Sequence, residues 1–397
     1  ITKHDHFPGY NALWPTLGTA MVIYAGLHQP ATFTARLLSL PVMVFLGGIS
    51  YSLYLWHWPP VALMHYQLIE LTWLNRLLLI AGVVALSWFS FRFVENRYRH
   101  RDWSFTKSFL IFILAPLIVI WAIQSTIRIA DDTSFRIPEE RRELYKIIAN
   151  NNPADLYKRC FKGKPVEFNQ SDACLFGAKP ADGQPNSMLI GDSHAIAQIG
   201  FIEQLLKGTD YSVLMVTRAS TPFLPPAIAE KAQASDPTKV ARNQALSDYL
   251  SQRPMTVFIG AWWSAYLKSE HYQRYFVDTI GWLKAHGHTV IVMEDVPELP
   301  SSSYAECLLK NMDDCSISAE DVKKSLANFY RFKQNAQQRY PDVQWINPRK
   351  VLCDATRCQT VLNGIPLYRD ESHLNNVGGI EIGQEYLKRF GNPLTSS

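Results

Sequence analysis

A hydroxyl, an imidazole and a carboxylate can together carry out acyl transfer, and this chain holds all three in a suggestive pattern. Ser193 stands in "LIGDSHAIA", directly after an apolar run that ends in glycine. Asp370 and His373 stand close together in "RDESHLNNVGG", near the far end of the chain. A serine becomes a nucleophile when a base removes its proton, and the base works best when an acid fixes its tautomer. His373 is the candidate base, Asp370 the residue that orients it and Ser193 the nucleophile. Each also has an ordinary reading. Asp192 or Ser193 could serve as a helix N-cap, which both residue types favour. His373 alone reads as a surface histidine. His194, beside the serine, is either a helix-start residue or part of the site lining.

Those residues need elements to bring them together. Short apolar, β-branched runs occur at 187–191, 211–217, 255–261, 288–295 and 343–347. Helical patterns near 195–207, 238–252, 270–286, 318–340 and 376–390 separate and follow them. Strands alternating with helices predict an α/β domain over 187–397, with a parallel sheet of about five strands and helices on both faces. Ligands in such sheets bind beyond the carboxyl ends of the strands. Ser193 follows the first run and opens the first helix, so its hydroxyl belongs at that edge. Its own N–H and the helix N-terminus would then face a developing oxyanion. The loop before the last helix can return to the same edge with His373. Residues 127–186 form a polar connector with several prolines. It is too long for a simple loop and is expected to pack on the domain, pinned by Cys160 and Cys174.

Residues 1–126 have a different composition. Four apolar stretches, roughly 12–27, 38–66, 74–91 and 107–125, predict a partial α-helical transmembrane bundle, since about 20 apolar residues cross the hydrocarbon core. The second stretch is long, with candidate breaks at Gly47-Gly48 and Pro59-Pro60. The loop "RFVENRYRHRDWSFTK" carries Arg92, Arg97, Arg99, Arg101 and Lys107 and is expected on the cytoplasmic side. The fourth span then delivers everything after residue 126 to the opposite side. All six cysteines lie there: Cys160, Cys174, Cys307, Cys315, Cys353 and Cys358. An even number in close pairs, with no C-x-x-C, favours disulfides over zinc. Pairing of neighbours (160–174, 307–315, 353–358) is the simplest connectivity, and buried free thiols are the alternative. Loop charge and cysteine placement agree independently on an oxidising compartment.

A net charge of +4, with no dense basic tract, gives no reason to expect a nucleic-acid partner. His4 and His6 in "KHDH" read as a polar lead-in rather than a metal site. The chain does not begin with Met and shows no signal-peptide pattern, so it is expected to start inside a larger protein. Within the second span Tyr51, Tyr54 and Trp58 share a helical face with His57 beside them. Two readings stand, an interfacial aromatic belt or the lining of a cavity, because ionisable groups at membrane depth are costly.

Two resemblances follow from these motifs. "SYSLYLWHWP" is similar to the late signature of acyltransferase-3 membrane proteins. "PGYNALWPTLGTA" resembles the segment before it and "FRFVENRYRHR" the end of that domain, together covering about residues 7–101. The resemblance implies a ten-helix domain that takes an acyl group from cytoplasmic acyl-CoA and presents it on the other side. The family's first helices, with their Arg and His motif, are not in this sequence and would be a partner segment of the same protein.

"GDSH" and "DESHL" resemble the first and last blocks of the SGNH (GDSL-like) hydrolases, over roughly 185–392. That resemblance implies a flavodoxin-type sheet and the roles given above to Ser193, His373 and Asp370. The middle blocks depart from it, reading "TRASTP" (217–222) and "GAWWSAY" (260–266), with Trp262 where the family has asparagine. The implied oxyanion donors are the backbone N–H of Ser193 and one near Ala219 or Ser220. Trp262 and Trp263 are either core or a sugar-stacking platform, and with His194 they are the candidate substrate contacts.

The two resemblances together imply an O-acetyltransferase of bacterial envelope glycans, lipopolysaccharide O-antigen among them. It would sit in the inner membrane with its C-terminal domain in the periplasm. Acetyl-CoA would be the donor to the complete membrane domain, and no cofactor would bind the soluble one. The expected partners are the glycan acceptor and the bilayer. The alternatives are a periplasmic carbohydrate acetylesterase and a non-catalytic, membrane-tethered glycan-binding module.

Overall fold

The computed structural model describes residues 12–28, 32–67, 69, 72–99, 102–129, 139–142, 144–145, 174–180, 183–310 and 314–395. The chain divides into two compact units, Ile1–Ala122 and Ile123–Ser397.

The first unit is helical. Its main helices are α1 (Leu13–His28), α2 (Pro41–Trp56), α3 (Trp58–Tyr66) and α4 (Trp73–Tyr98). A further helix, α5 (Phe105–Ile127), straddles the boundary between the units. Among the described residues only α4 and α5 are both long and apolar enough to span a bilayer unaided. These two helices correspond to the third and fourth apolar stretches read from sequence. α1 has 16 residues, short of the ~20 that a straight span needs. The 38–66 stretch is broken at His57, because Pro59 and Pro60 lack the N–H groups that would continue the helix. The glycine pair at 47–48 does not break it. Ser52 on α2 is buried, and its hydroxyl donates to Glu95 Oε2 on α4 at 3.2 Å, a polar tie between helices.

The second unit is built on a six-stranded sheet. Its strands are β1 (Leu175–Gly177), β2 (Ser187–Gly191), β3 (Ser212–Thr217), β4 (Thr256–Gly260), β5 (Thr289–Met293) and β6 (Gln344–Ile346). Their spatial order is β1-β3-β2-β4-β5-β6, with β1 antiparallel and every other pairing parallel. β2 and β3 are buried along their whole length, as their continuous apolar sequences require of strands covered on both faces. The five parallel strands match the runs read from sequence. β1 does not; it lies in the stretch assigned to the connector, which therefore contributes an edge strand. Chain order reverses direction at β2, with β3 on one side and β4 on the other, and such a switch point opens a crevice at the carboxyl ends.

The flanking helices include α6 (Ser193–Ala197), α7 (Ile199–Leu206), α8 (Pro237–Leu250), α9 (Glu270–Ala285), α10 (Ala327–Arg339) and α11 (Asn376–Phe390). α11 lies hard against α7. A side chain at Gly200 would place its Cβ 2.5 Å from the Asn376 carbonyl, and one at Gly383 would meet Gln204 at 2.7 Å. That close approach carries the start of α11, and the loop before it, toward β2.

Cys307–Cys315 and Cys353–Cys358 are disulfide-bonded as the neighbour pairing predicts. Cys174 is also disulfide-bonded. Its expected partner Cys160 lies outside the described residues, as do His4, His6 and most of the connector.

Candidate active site

The turn after β2 is fixed by packing. Gly191 has φ 145°, and a Cβ there would sit 1.8 Å from the Gly260 carbonyl at the end of β4. No L side chain fits. Asp192 is the N-cap of α6, its Oδ1 accepting the His194 N–H at 2.8 Å. Its Oδ2 accepts the Trp262 N–H at 3.0 Å. Burial raises the Asp192 pKa; the charge of His194 and the two N–H donors offset part of that rise. Asp192 thus takes the capping role, and Ser193 is left free to bond elsewhere.

Its partner is His373. The Ser193 hydroxyl donates to His373 Nε2 at 2.8 Å. On the other side of the ring, Nδ1–H donates to Asp370, at 2.9 Å from Oδ1 and 3.0 Å from Oδ2. The neutral imidazole has one donor and one acceptor nitrogen, and this arrangement assigns them without conflict. Asp370 Oδ1 also accepts the backbone N–H groups of Ser372 and His373, at 3.0 and 2.9 Å. Partial burial pushes the Asp370 carboxyl up. The ring N–H and the two backbone N–H groups outweigh that and hold it well below the usual carboxylate range. The loop itself is anchored by buried Asn375. Its Oδ1 caps α11 through Gly378 N–H at 2.6 Å, and its Nδ2 donates to the carbonyls of Pro366 and Tyr368. All three residues singled out for chemistry are therefore in one hydrogen-bonded line at the carboxyl edge of the sheet.

The remaining candidates divide. Ser220 lies in the loop after β3 at φ 52°, a conformation that glycine usually takes, and its carbonyl accepts from Lys239 Nζ at 3.0 Å. Trp262 is 37% exposed, its Nε1–H donating to Glu298 Oε1 at 2.6 Å. It remains available as a platform. Trp263 does not: it is fully buried, donates to the Met293 carbonyl at 2.8 Å and packs on Phe276 and Phe332. One step along a helical turn separates a surface ring from a core ring. His194 is likewise no substrate contact. It is 2% exposed, its Nδ1 bonds Asp295 Oδ1 at 2.8 Å, and its ring stacks on Trp262 at 5.1 Å between centroids.

Asp295 and Glu298 were missed by sequence reasoning. The signal was present: "VIVMEDVPEL" places acidic residues just past the end of β5, at the ligand-binding edge. In the first unit Tyr51, Tyr54, His57 and Trp58 are exposed, and His57 Nδ1 pairs with the Tyr54 carbonyl of its own helix at 2.6 Å. No site assembles around them among the described residues. Nor does any cluster of His, Cys, Asp and Glu suited to a metal ion occur among those residues.

Family models, curated relatives and solved structures match parts of this chain. The model of the SGNH domain fused to AT3 domains matches residues 159–388, and that of an acyltransferase domain matches residues 3–92. Proteins of Staphylococcus aureus strains COL and Mu50, each named "Putative O-acetyltransferase", are 32% identical over 81 residues. The aligned stretch is 20% of this chain, and the chain spans only 13% of the length of those relatives. Among solved structures, the periplasmic domain of a lipopolysaccharide acetyltransferase of Salmonella ser. Paratyphi A is 16% identical, with a TM-score of 0.43. The match covers 62% of this chain and 96% of that one. A salicylyl-acyltransferase from a tetracycline biosynthetic pathway is 9% identical with a TM-score of 0.29, covering 53% of this chain and 55% of that one.

Proposed function

We propose that this chain, which belongs to the family of SGNH domains fused to AT3 domains, transfers an acetyl group to a sugar hydroxyl of a bacterial envelope glycan through Ser193, His373 and Asp370. The observation that carries the reading is the hydrogen-bonded line from the Ser193 hydroxyl through His373 to Asp370. Acetyl-CoA is the proposed ultimate donor, reaching the site by way of the membrane domain. Lipopolysaccharide is the proposed acceptor class, and the second unit is proposed to face the periplasm.

In the first half-reaction His373 Nε2 takes the Ser193 proton while Oγ attacks the acetyl carbonyl. The tetrahedral oxyanion forms at the start of α6, where the Ser193 N–H and a backbone N–H at Ser220 are the proposed donors. The leaving group departs with the proton from His373, and Ser193 holds the acetyl ester. In the second half-reaction His373 deprotonates the sugar hydroxyl, which attacks that ester and restores the serine. Asp370 keeps Nδ1 protonated throughout and stabilises the transient imidazolium. Trp262, held by Glu298, is the proposed surface for the sugar ring.

The test is Ser193→Ala in the membrane-embedded protein, supplied with labelled acetyl-CoA and the glycan. Acetylated glycan should fall by at least about 10³-fold. Undiminished acetylation removes the serine from the mechanism. Free acetate formed without acetylated sugar makes the enzyme an esterase.

A further inference from the structure

Beside the line of three lies a second histidine–carboxylate pair that the mechanism does not use. His194 and Asp295 are each about 2% exposed and are bonded at 2.8 Å. The His194 ring is also 4.5 Å from the His373 ring, centroid to centroid, at 48°. It is also stacked on Trp262, nearly parallel at 13°. His194 therefore forms one wall of the space in which the His373 ring stands. Its Nε2 and the second oxygen of Asp295 are buried without hydrogen-bond partners. Apolar side chains in place of both members would fill that volume without a buried charge, so packing alone does not account for an imidazole–carboxylate pair here. Asp295 is itself braced, because buried Arg349 donates to its carbonyl and to neighbouring Glu294, which also pairs with Lys333.

We propose that His194, held by Asp295, is a positioning residue for His373: it fixes the ring against Ser193 and sets the pH below which His373 ceases to act as a base. This rests on the reading of Ser193 and His373 as nucleophile and base. The groups facing His194 are Asp192 on its own turn, Asp295 past β5, Glu298 on the same loop and His373 before α11. Behind Asp295 stand Glu294, Arg349, Lys333 and Tyr368. Burial pushes the His194 pKa down, but Asp295, Asp192 and Glu298 together raise it above the usual value. The charge carried by this pair, whose histidine ring lies 4.5 Å from the His373 ring, bears on how readily His373 takes a proton.

The experiment is the pH dependence of Ser193 labelling by a serine-reactive fluorophosphonate in the full chain, with Ser193→Ala as the blank. Labelling requires neutral His373, so its acid limb reports that group. Asp295→Asn should move the limb by about 0.5 to 1 pH unit. His194→Gln, which cannot take a proton but retains a group that can pair with Asp295, should move it as well and serves if Asp295→Asn fails to fold. A purely structural role lowers labelling at every pH without moving the limb. An unmoved limb in a folded variant overturns this inference alone. No Ser193 labelling in the wild-type chain overturns the nucleophile reading, and this inference with it.

Discussion

At the scale of single residues, the chemistry depends on which atom takes which bond. Asp192 captures two backbone N–H groups and leaves Ser193 to His373. Asp370 fixes the tautomer, so Asp370→Asn should leave the fold intact and lower turnover by about 10³- to 10⁴-fold, measured as acetyl transfer at saturating donor. Its pKa also makes a stability statement. A carboxyl whose pKa is depressed on folding contributes stability above its unfolded value and loses it as pH falls through the folded one. The melting temperature of Asp370→Asn should thus lie below that of wild type at neutral pH, and the gap should begin to narrow below about pH 4 and close only where the folded carboxyl itself takes a proton. Ser193, Asp370 and His373 were legible in sequence because each sits beside turn-forming residues at the end of a recognisable element. His194 was not: a residue adjacent to an N-cap gives no periodic signal of which way its ring turns. Trp262 and Trp263 are ambiguous for the same reason, since neighbours on one turn point to core and surface alike.

At the scale of elements, α7 and α11 decide whether His373 arrives. Their contact relies on Gly200, Gly379 and Gly383, positions where a Cβ would meet backbone or side-chain atoms of the facing helix at 3.2 Å or less. Gly200→Ala is expected to push the Asn376 end of α11 outward, costing roughly 1–3 kcal/mol in overpacking. Thermal melting should show the loss, and Ser193 labelling should fall further than the melting shift alone explains. The parallel strands were readable because strands buried on both faces are written as short apolar runs. β1 was not readable, because three residues in a polar, proline-bearing stretch carry too little pattern. In the first unit, apolar length was legible but the break at His57 was only one of two candidates. Two adjacent prolines remove two consecutive N–H donors, whereas the two glycines keep theirs.

At the scale of the whole molecule, two sequence features of different kinds agree: a basic loop before α5 and cysteines only after it. The disulfides at 307–315 and 353–358 fit the oxidising side. The antiparallel β1 has a further bearing on how the second unit can be isolated. It occupies the outer rim of β3, pairing Leu175, Phe176 and Gly177 with Leu214, Val213 and Ser212. A fragment cut at residue 187, where the alternation of strands and helices begins, would leave that rim as an open template for another copy of itself. Such a fragment should self-associate in light scattering, whereas one starting at residue 159 should stay monodisperse. The three residues of this short strand thus occupy backbone groups that would otherwise be open to another chain.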